Sequence, residues 1–184
     1  LTSWEDLSVK LSSIVYGDFN GDKEYDIAGL DKTKQIYYST NLQEWINIPG
    51  FLDSIISGDF NGDKKDDIAG INSKGLVLYT TDLQNFNLIK GSLVNLVSGD
   101  FNGDKKDDIA GINKDGKVFY SKDLQNWINV PGQFANIISG DFNSDKKDDL
   151  ATINVTGEAY YTIDLQNWMS IPDRNLKTFF PVKY

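Results

Sequence analysis

The chain has 184 residues, a formal charge of −9, no cysteine and no histidine. That length suffices for one domain with a sizeable core, and the missing residue types exclude disulfides, His- or Cys-based triads and the commonest zinc, copper or nickel ligands. Arg174 is the one arginine among 18 basic residues of an acidic chain, which excludes the basic stripe of a nucleic-acid binder, and no apolar run approaches the ~20 residues of a membrane span.

Elements follow a repeat. Ser3–Leu7 comes first and reads as a strand, because Trp4 precedes Asp18 as Trp45 precedes Asp59. Next comes an acidic string, GDFNGDKEYDIAG, beginning at Gly17. Near-copies begin at Gly58, Gly99 and Gly140, a spacing of 41 residues. A period of that size with four strand-sized segments suits one propeller blade. The repeats cover about residues 13–50, 54–91, 95–132 and 136–173 of a single domain, 1–184.

Within a repeat, the spacing predicts an antiparallel meander. In the third copy, Asn95–Ser98 is a first strand and Asp100–Asp108 the acidic loop. Ile109–Ile112 is a second strand, Asn113–Gly116 a turn and Lys117–Ser121 a third strand. Asp123–Asn126 turns again, and Trp127–Val130 is a fourth strand closed by Pro131-Gly132. Asn136–Ser139 opens the next repeat. Segments such as Val118-Phe119-Tyr120 are apolar on both faces, as in a sheet held between two neighbours. No 3.6-residue apolar period persists. Ala28, Ala69, Ala110 and Ala151 share one position beside Gly29, Gly70, Gly111 and, as an exception, Thr152. Small residues there allow close sheet approach.

The acidic loop offers oxygens at alternate positions, as a hard cation requires. Positions one, three, five and nine are Asp18, Asn20, Asp22 and Asp26; Asp59, Asn61, Asp63 and Asp67; Asp100, Asn102, Asp104 and Asp108; Asp141, Asn143, Asp145 and Asp149. Position seven, which is Glu24, Lys65, Lys106 or Lys147, contributes its backbone carbonyl. Position eight, Asp66, Asp107 or Asp148, points away by this count and pairs with a lysine, so Asp100→Ala is expected to cost more than Asp107→Ala. An EF-hand is excluded, because position twelve lacks a Glu and the flanks are strands. Magnesium wants a smaller octahedral shell. Three carboxylates within nine residues, four times in register, repel one another without a cation. The expectation is up to four Ca²⁺ ions, whose eight charges would nearly neutralise −9. A solvated acidic turn is the alternative.

This motif, followed by a four-strand period over about residues 13–172, resembles the FG-GAP or VCBS-type repeat of integrin-α-like and lectin-like propellers. The resemblance implies an all-β β-propeller of four 41-residue blades, each with a calcium loop between its first and second strands. It departs from the family at loop position six, where Lys23, Lys64, Lys105 and Lys146 replace the usual Gly; Gly21, Gly62 and Gly103 stand at position four, and Ser144 in the last copy.

No group is set aside for catalysis. Ser39–Trp45 and Ser121–Trp127 faintly resemble a sialidase Asp-box, one residue short and without an arginine cluster; the plainer reading is a hairpin turn anchored by Trp. Trp45, Phe86, Trp127 and Trp168 recur at one position and Tyr38, Tyr79, Tyr120 and Tyr161 at another. These aromatics either stack on sugar rings, with Gln43, Gln84, Gln125 and Gln166 orienting hydroxyls, or pack blades together. The expectation is a secreted or cell-surface, non-catalytic recognition module for a glycan. The alternative is a structural or protein-binding propeller of a larger surface protein or toxin.

The N-terminal strand 3–9 and the tail 174–184 are surplus to four repeats. They cover the edges of a closed four-blade ring, favoured by Pro181 after Thr178–Phe180, or they build a partial fifth blade or leave an edge for another chain. Leu1 opens no signal-like segment, which suits a mature form or a piece of something longer.

Overall fold

A computed structural model describes residues 9–154 and 156–171. They form sixteen strands and no helix. The first sheet comprises β1 (Leu11–Gly17), β2 (Asp26–Asp31), β3 (Gln35–Ser39) and β4 (Ile46–Phe51). The second comprises β5 (Ser54–Gly58), β6 (Asp67–Ile71), β7 (Leu76–Thr80) and β8 (Asn87–Ser92). The third comprises β9 (Asn95–Gly99), β10 (Asp108–Ile112), β11 (Lys117–Ser121) and β12 (Ile128–Gln133). The fourth comprises β13 (Ile138–Gly140), β14 (Asp149–Ile153), β15 (Ala159–Thr162) and β16 (Met169–Ser170). Each sheet is a meander in chain order, with every pairing antiparallel.

The two-faced apolar segments fold as expected. β6 and β10 are buried along their whole length, and the hydrophobic residues of each face opposite neighbours. Three apolar cores join the four sheets in succession. Phe19, Ala28, Leu30, Ile36 and Ile48 of the first sheet meet Leu52, Ile55 and Ile68 of the second. Phe60, Ala69, Ile71, Val77 and Ile89 meet Leu93, Leu96 and Ile109 of the third. Phe101, Ala110, Ile112, Val118 and Val130 meet Ile137 and Leu150 of the fourth. Each fully buried Ile or Leu contributes ~1.5–3 kcal/mol of transfer free energy. A charge at Ile68 or Ile109 would therefore break a junction, since neither can reach water.

The sheets do not close into a ring. β1 packs on β5, β5 on β9 and β9 on β13, and the described residues place no fourth core between the last sheet and the first. Ile14 is 65% exposed where its counterpart Ile55 is 9% exposed, and Phe142 is 39% exposed where Phe101 is 7% exposed. The favoured closed four-blade arrangement is therefore corrected to an open succession. Residues 3–8 and 174–184, to which edge-covering roles were assigned, lie outside the described residues.

Two strand boundaries also differ. The fourth strand does not end at Pro131-Gly132: β12 runs through both to Gln133, with a register shift between Lys117 and Val118. It is an edge strand, where a residue lacking an N–H does not interrupt a ladder. β13 starts at Ile138, two residues later than expected. In the Ala-Gly pairs the alanines join the cores between sheets, and the glycines meet their own sheet. A Cβ on Gly70 would sit 2.2 Å from the carbonyl oxygen of Ser54. Thr152 occupies that place in the last sheet by donating its hydroxyl to the carbonyl of Asn136.

Candidate cation loops and the axial groove

Each acidic loop connects the first strand of a sheet to the second, and its own carboxylates shape it. In the second loop, Asp59 Oδ1 accepts the N–H groups of Gly62 at 2.6 Å and Asp63 at 3.1 Å, and Oδ2 accepts that of Lys64 at 2.8 Å. Asn61 Oδ1 accepts from Asp63, and Asp63 Oδ1 from Lys65. The first and third loops repeat this pattern through Asp18, Asn20 and Asp22 and through Asp100, Asn102 and Asp104. The fourth keeps it through Asp141, Asn143 and Asp145. These Asx turns wrap the chain tightly enough to need two left-handed positions. Gly62 takes one at φ 83° and Lys64 the other at φ 71°. Position six thus has the backbone that a glycine would supply, although a lysine stands there in all four loops.

Position nine is the buried end of each loop. Asp26, Asp67, Asp108 and Asp149 are at most 3% exposed. Burial, helped by the charges of Asp63 and Asp59 and opposed by the N–H of Phe60, pushes Asp67 up to about 7. Burial with Asp104 and Asp100 does the same to Asp108, also to about 7. Asp26 and Asp149 are raised by burial as well. Asn102 donates to Asp108 Oδ1 at 3.2 Å, while Asp108 Oδ2 is buried without a hydrogen-bond partner.

The donor set is oxygen-only and suits Ca²⁺ better than a soft metal. The ion pair Lys34–Asp53, at 3.7 Å, lies outside these loops. As the loops stand, backbone N–H groups occupy the carboxylates, and no three acidic groups among the described residues converge into a ready cluster. Position-seven carbonyls (Glu24, Lys65, Lys106, Lys147) lie in the exposed part of the loop.

Position eight is corrected. Its aspartate accepts from the backbone of the preceding loop, a contact that the spacing within its own loop does not show. Asp66 Oδ2 accepts the N–H of Asp18 at 2.6 Å, Asp107 Oδ2 that of Asp59 at 2.9 Å and Asp148 Oδ2 that of Asp100 at 3.0 Å. The carboxylate lies where a side chain on Gly17, Gly58 or Gly99 would be, which is why those three positions are glycine.

Six of the eight repeated aromatics lie between sheets. Phe86 rests on Gly50, Trp127 on Gly91 and Trp168 on Gly132, each glycine at a positive φ no larger residue holds easily. Trp168 donates its indole N–H to the carbonyl of Pro131 and its ring lies 4.5 Å from that of Phe134. Tyr38, Tyr79 and Tyr120 pack against the three cores, and Tyr161 is half-buried in the last sheet. Trp45 is half-buried on the first sheet. The turn before each aromatic is organised by Asn41 or by an aspartate. Asp123 accepts from the N–H groups of Gln125 and Asn126 and from the Asn126 amide, which lowers its carboxyl to about 2. That geometry is a tight turn between the third and fourth strands of the sheet.

The four first strands line a groove of about 440 Å³. Its floor is a ladder of hydroxyls. Ser57 donates to the carbonyl of Tyr16, Ser98 to that of Ser57 and Ser139 to that of Ser98. Asp66, Asp107 and Asp148 line it too, and burial with the charges of Asp148, Asp66 and Asp59 raises Asp107 to about 6. At its first-sheet end stand Ile14 and the edge-to-face pair Tyr16–Tyr25, rings 5.1 Å apart. Sequence reasoning missed this groove. Its signal was present in Tyr16 and Tyr25, which break the repeat where Ser and Asp stand in later copies.

No protein-family model and no curated protein matches this chain. Solved structures do. One is BBS1N, crystallised in complex with ARL6DN: the TM-score is 0.63 at 11% identity, over 92% of this chain and 61% of that one. The chain therefore spans about three-fifths of that neighbour's length. At this identity the likeness shows the fold alone, a propeller-like succession of antiparallel sheets.

Proposed function

We propose that this chain is a non-catalytic recognition module of the β-propeller type, with 41-residue blades, that takes a cationic segment of a protein partner in its axial groove. One observation carries the reading: the groove puts Asp66, Asp107 and Asp148 beside the exposed Tyr16–Tyr25 pair. Carboxylates attract an ammonium or guanidinium group, and tyrosine faces add a cation–π contribution of ~0.5–2 kcal/mol. The neighbour's presence in a protein complex supports a protein partner over a glycan. Phe86, Trp127, Trp168, Tyr38, Tyr79 and Tyr120 are engaged between sheets, which leaves less aromatic surface for sugar rings.

Calcium belongs to the same proposal. Asp59, Asn61, Asp63, Asp67 and the Lys65 carbonyl would hold one ion, with matching sets in the other loops, and the ion would neutralise buried charge. The module's setting would be secreted or at the cell surface, where free calcium is plentiful.

The test is a calorimetric titration with a lysine-rich peptide, beside an acidic peptide and a glycan array. Binding of the basic peptide alone, weakened by salt and by Tyr16→Ala, is expected. Glycan binding without peptide binding would overturn the groove reading in favour of a lectin. Turnover of a chromogenic glycoside would overturn the non-catalytic one.

A further inference from the structure

Every internal junction between sheets is made by the same residues. The stem of Lys65, Lys106 or Lys147 lies over Gly21, Gly62 or Gly103 of the preceding loop, and the carboxylate of Asp66, Asp107 or Asp148 lies over Gly17, Gly58 or Gly99. Among the described residues one such junction is unmade, that between the far face of the fourth sheet and the near face of the first. Both faces display what their counterparts bury. Ile14 and Leu42 are exposed on the first sheet, and Phe142 and Ile153 on the fourth.

The repeat breaks at the loop positions that would meet across this unmade junction. Glu24 stands where lysine stands in the later copies, and Ser144 where glycine stands in the earlier ones. A serine hydroxyl can donate to a glutamate carboxylate, so a lysine-over-glycine contact is exchanged for a matched hydrogen-bonding pair. Tyr25 replaces the stitching aspartate opposite Gly140, whose Cβ position is approached only by Phe142 of its own sheet. Both sides of a single junction have changed together, and no internal junction carries either change.

We propose that the first sheet of one copy docks on the fourth sheet of a second copy, with Glu24 against Ser144 and Tyr25 over Gly140. The contact is head-to-tail, so it must either close or propagate. The described sheets of two copies number eight, the upper end of the usual propeller range, and those of three would exceed it. The assembly is therefore a two-copy ring with two identical junctions.

Light scattering on the intact chain tests this, with a mass twice that of one chain expected and a single-chain mass overturning the proposal. Ile14→Asp and Phe142→Asp alter side chains already exposed in one copy and are each expected to halve the mass with an unchanged circular-dichroism spectrum. Retention of the doubled mass by both variants would place the contact elsewhere and overturn the proposal. Because the chain has no cysteine, a Glu24→Cys, Ser144→Cys variant reports the junction directly. Oxidation is expected to give a covalent dimer. A disulfide within one chain would mean self-closure, and a ladder of higher species would mean a filament; either overturns the two-copy ring.

Discussion

Asp18 and Asp66, 48 residues apart, bond each other twice: the N–H of Asp66 donates to the carbonyl of Asp18 at 2.7 Å, and the N–H of Asp18 donates to the carboxylate of Asp66 at 2.6 Å. Asp59–Asp107 and Asp100–Asp148 repeat the pair. Each later loop is thereby a clamp on the loop before it, and the acidic loop and the junction between sheets are one structure.

Asp107→Ala should then destabilise the fold by about 1–3 kcal/mol, because it leaves the half-buried N–H of Asp59 without its acceptor. Asp107→Asn keeps an acceptor oxygen and should recover most of that loss. Urea denaturation of the three proteins measures it. Equal stability of wild type and Asp107→Ala would show the carboxylate to be dispensable, as loop spacing alone had suggested.

Lys64 sits at φ 71°, a conformation costing an L-residue about 1–2 kcal/mol. Lys64→Gly removes that cost but adds the chain entropy of glycine, so a net gain of about 0.5–1 kcal/mol is expected. Lys65→Gly, next to it, relieves no positive φ and strips a stem from over Gly21, so it should lose stability. A Lys64→Gly variant that melts lower than wild type would contradict the strain argument.

Much of this architecture was readable because the 41-residue repeat fixes it four times over. The acidic loops, second and third strands and two-faced burial of segments such as Ile109–Ile112 follow from local pattern. The open succession did not, because closure depends on the angle each sheet adds, which no local pattern states. Asp66 was misassigned for the same reason. Its partner lies in a different sheet, and loop spacing speaks only of its own loop. The corrective signal lay in the exceptions. Tyr25 and Ser144 depart from the repeat in its first and last copies, where the described residues offer the clamp no partner loop.

The pH dependence has two arms of opposite sign. Asp123 is lowered from 3.8 to about 2, so its turn contributes stability above pH ~3.8 that is lost as pH falls toward 2. Asp67 and Asp108 are raised from 3.8 to about 7 and Asp107 to about 6. Their contribution is fully present below pH ~3.8 and is lost as pH rises through 6 to 7, where the folded state must hold buried charge. Without divalent cation the melting temperature should therefore peak near pH 4 to 5 and fall by pH 8. Calcium reverses the upper arm, since it replaces the proton at the same carboxylates. At a free concentration ten times the Kd, each occupied site adds about 1.4 kcal/mol. Calcium should thus raise the melting temperature strongly at pH 8 and little at pH 5, and a chelator should undo the rise. A melting temperature at pH 8 indifferent to both would mean that the loops hold no ion and that backbone N–H groups alone carry them.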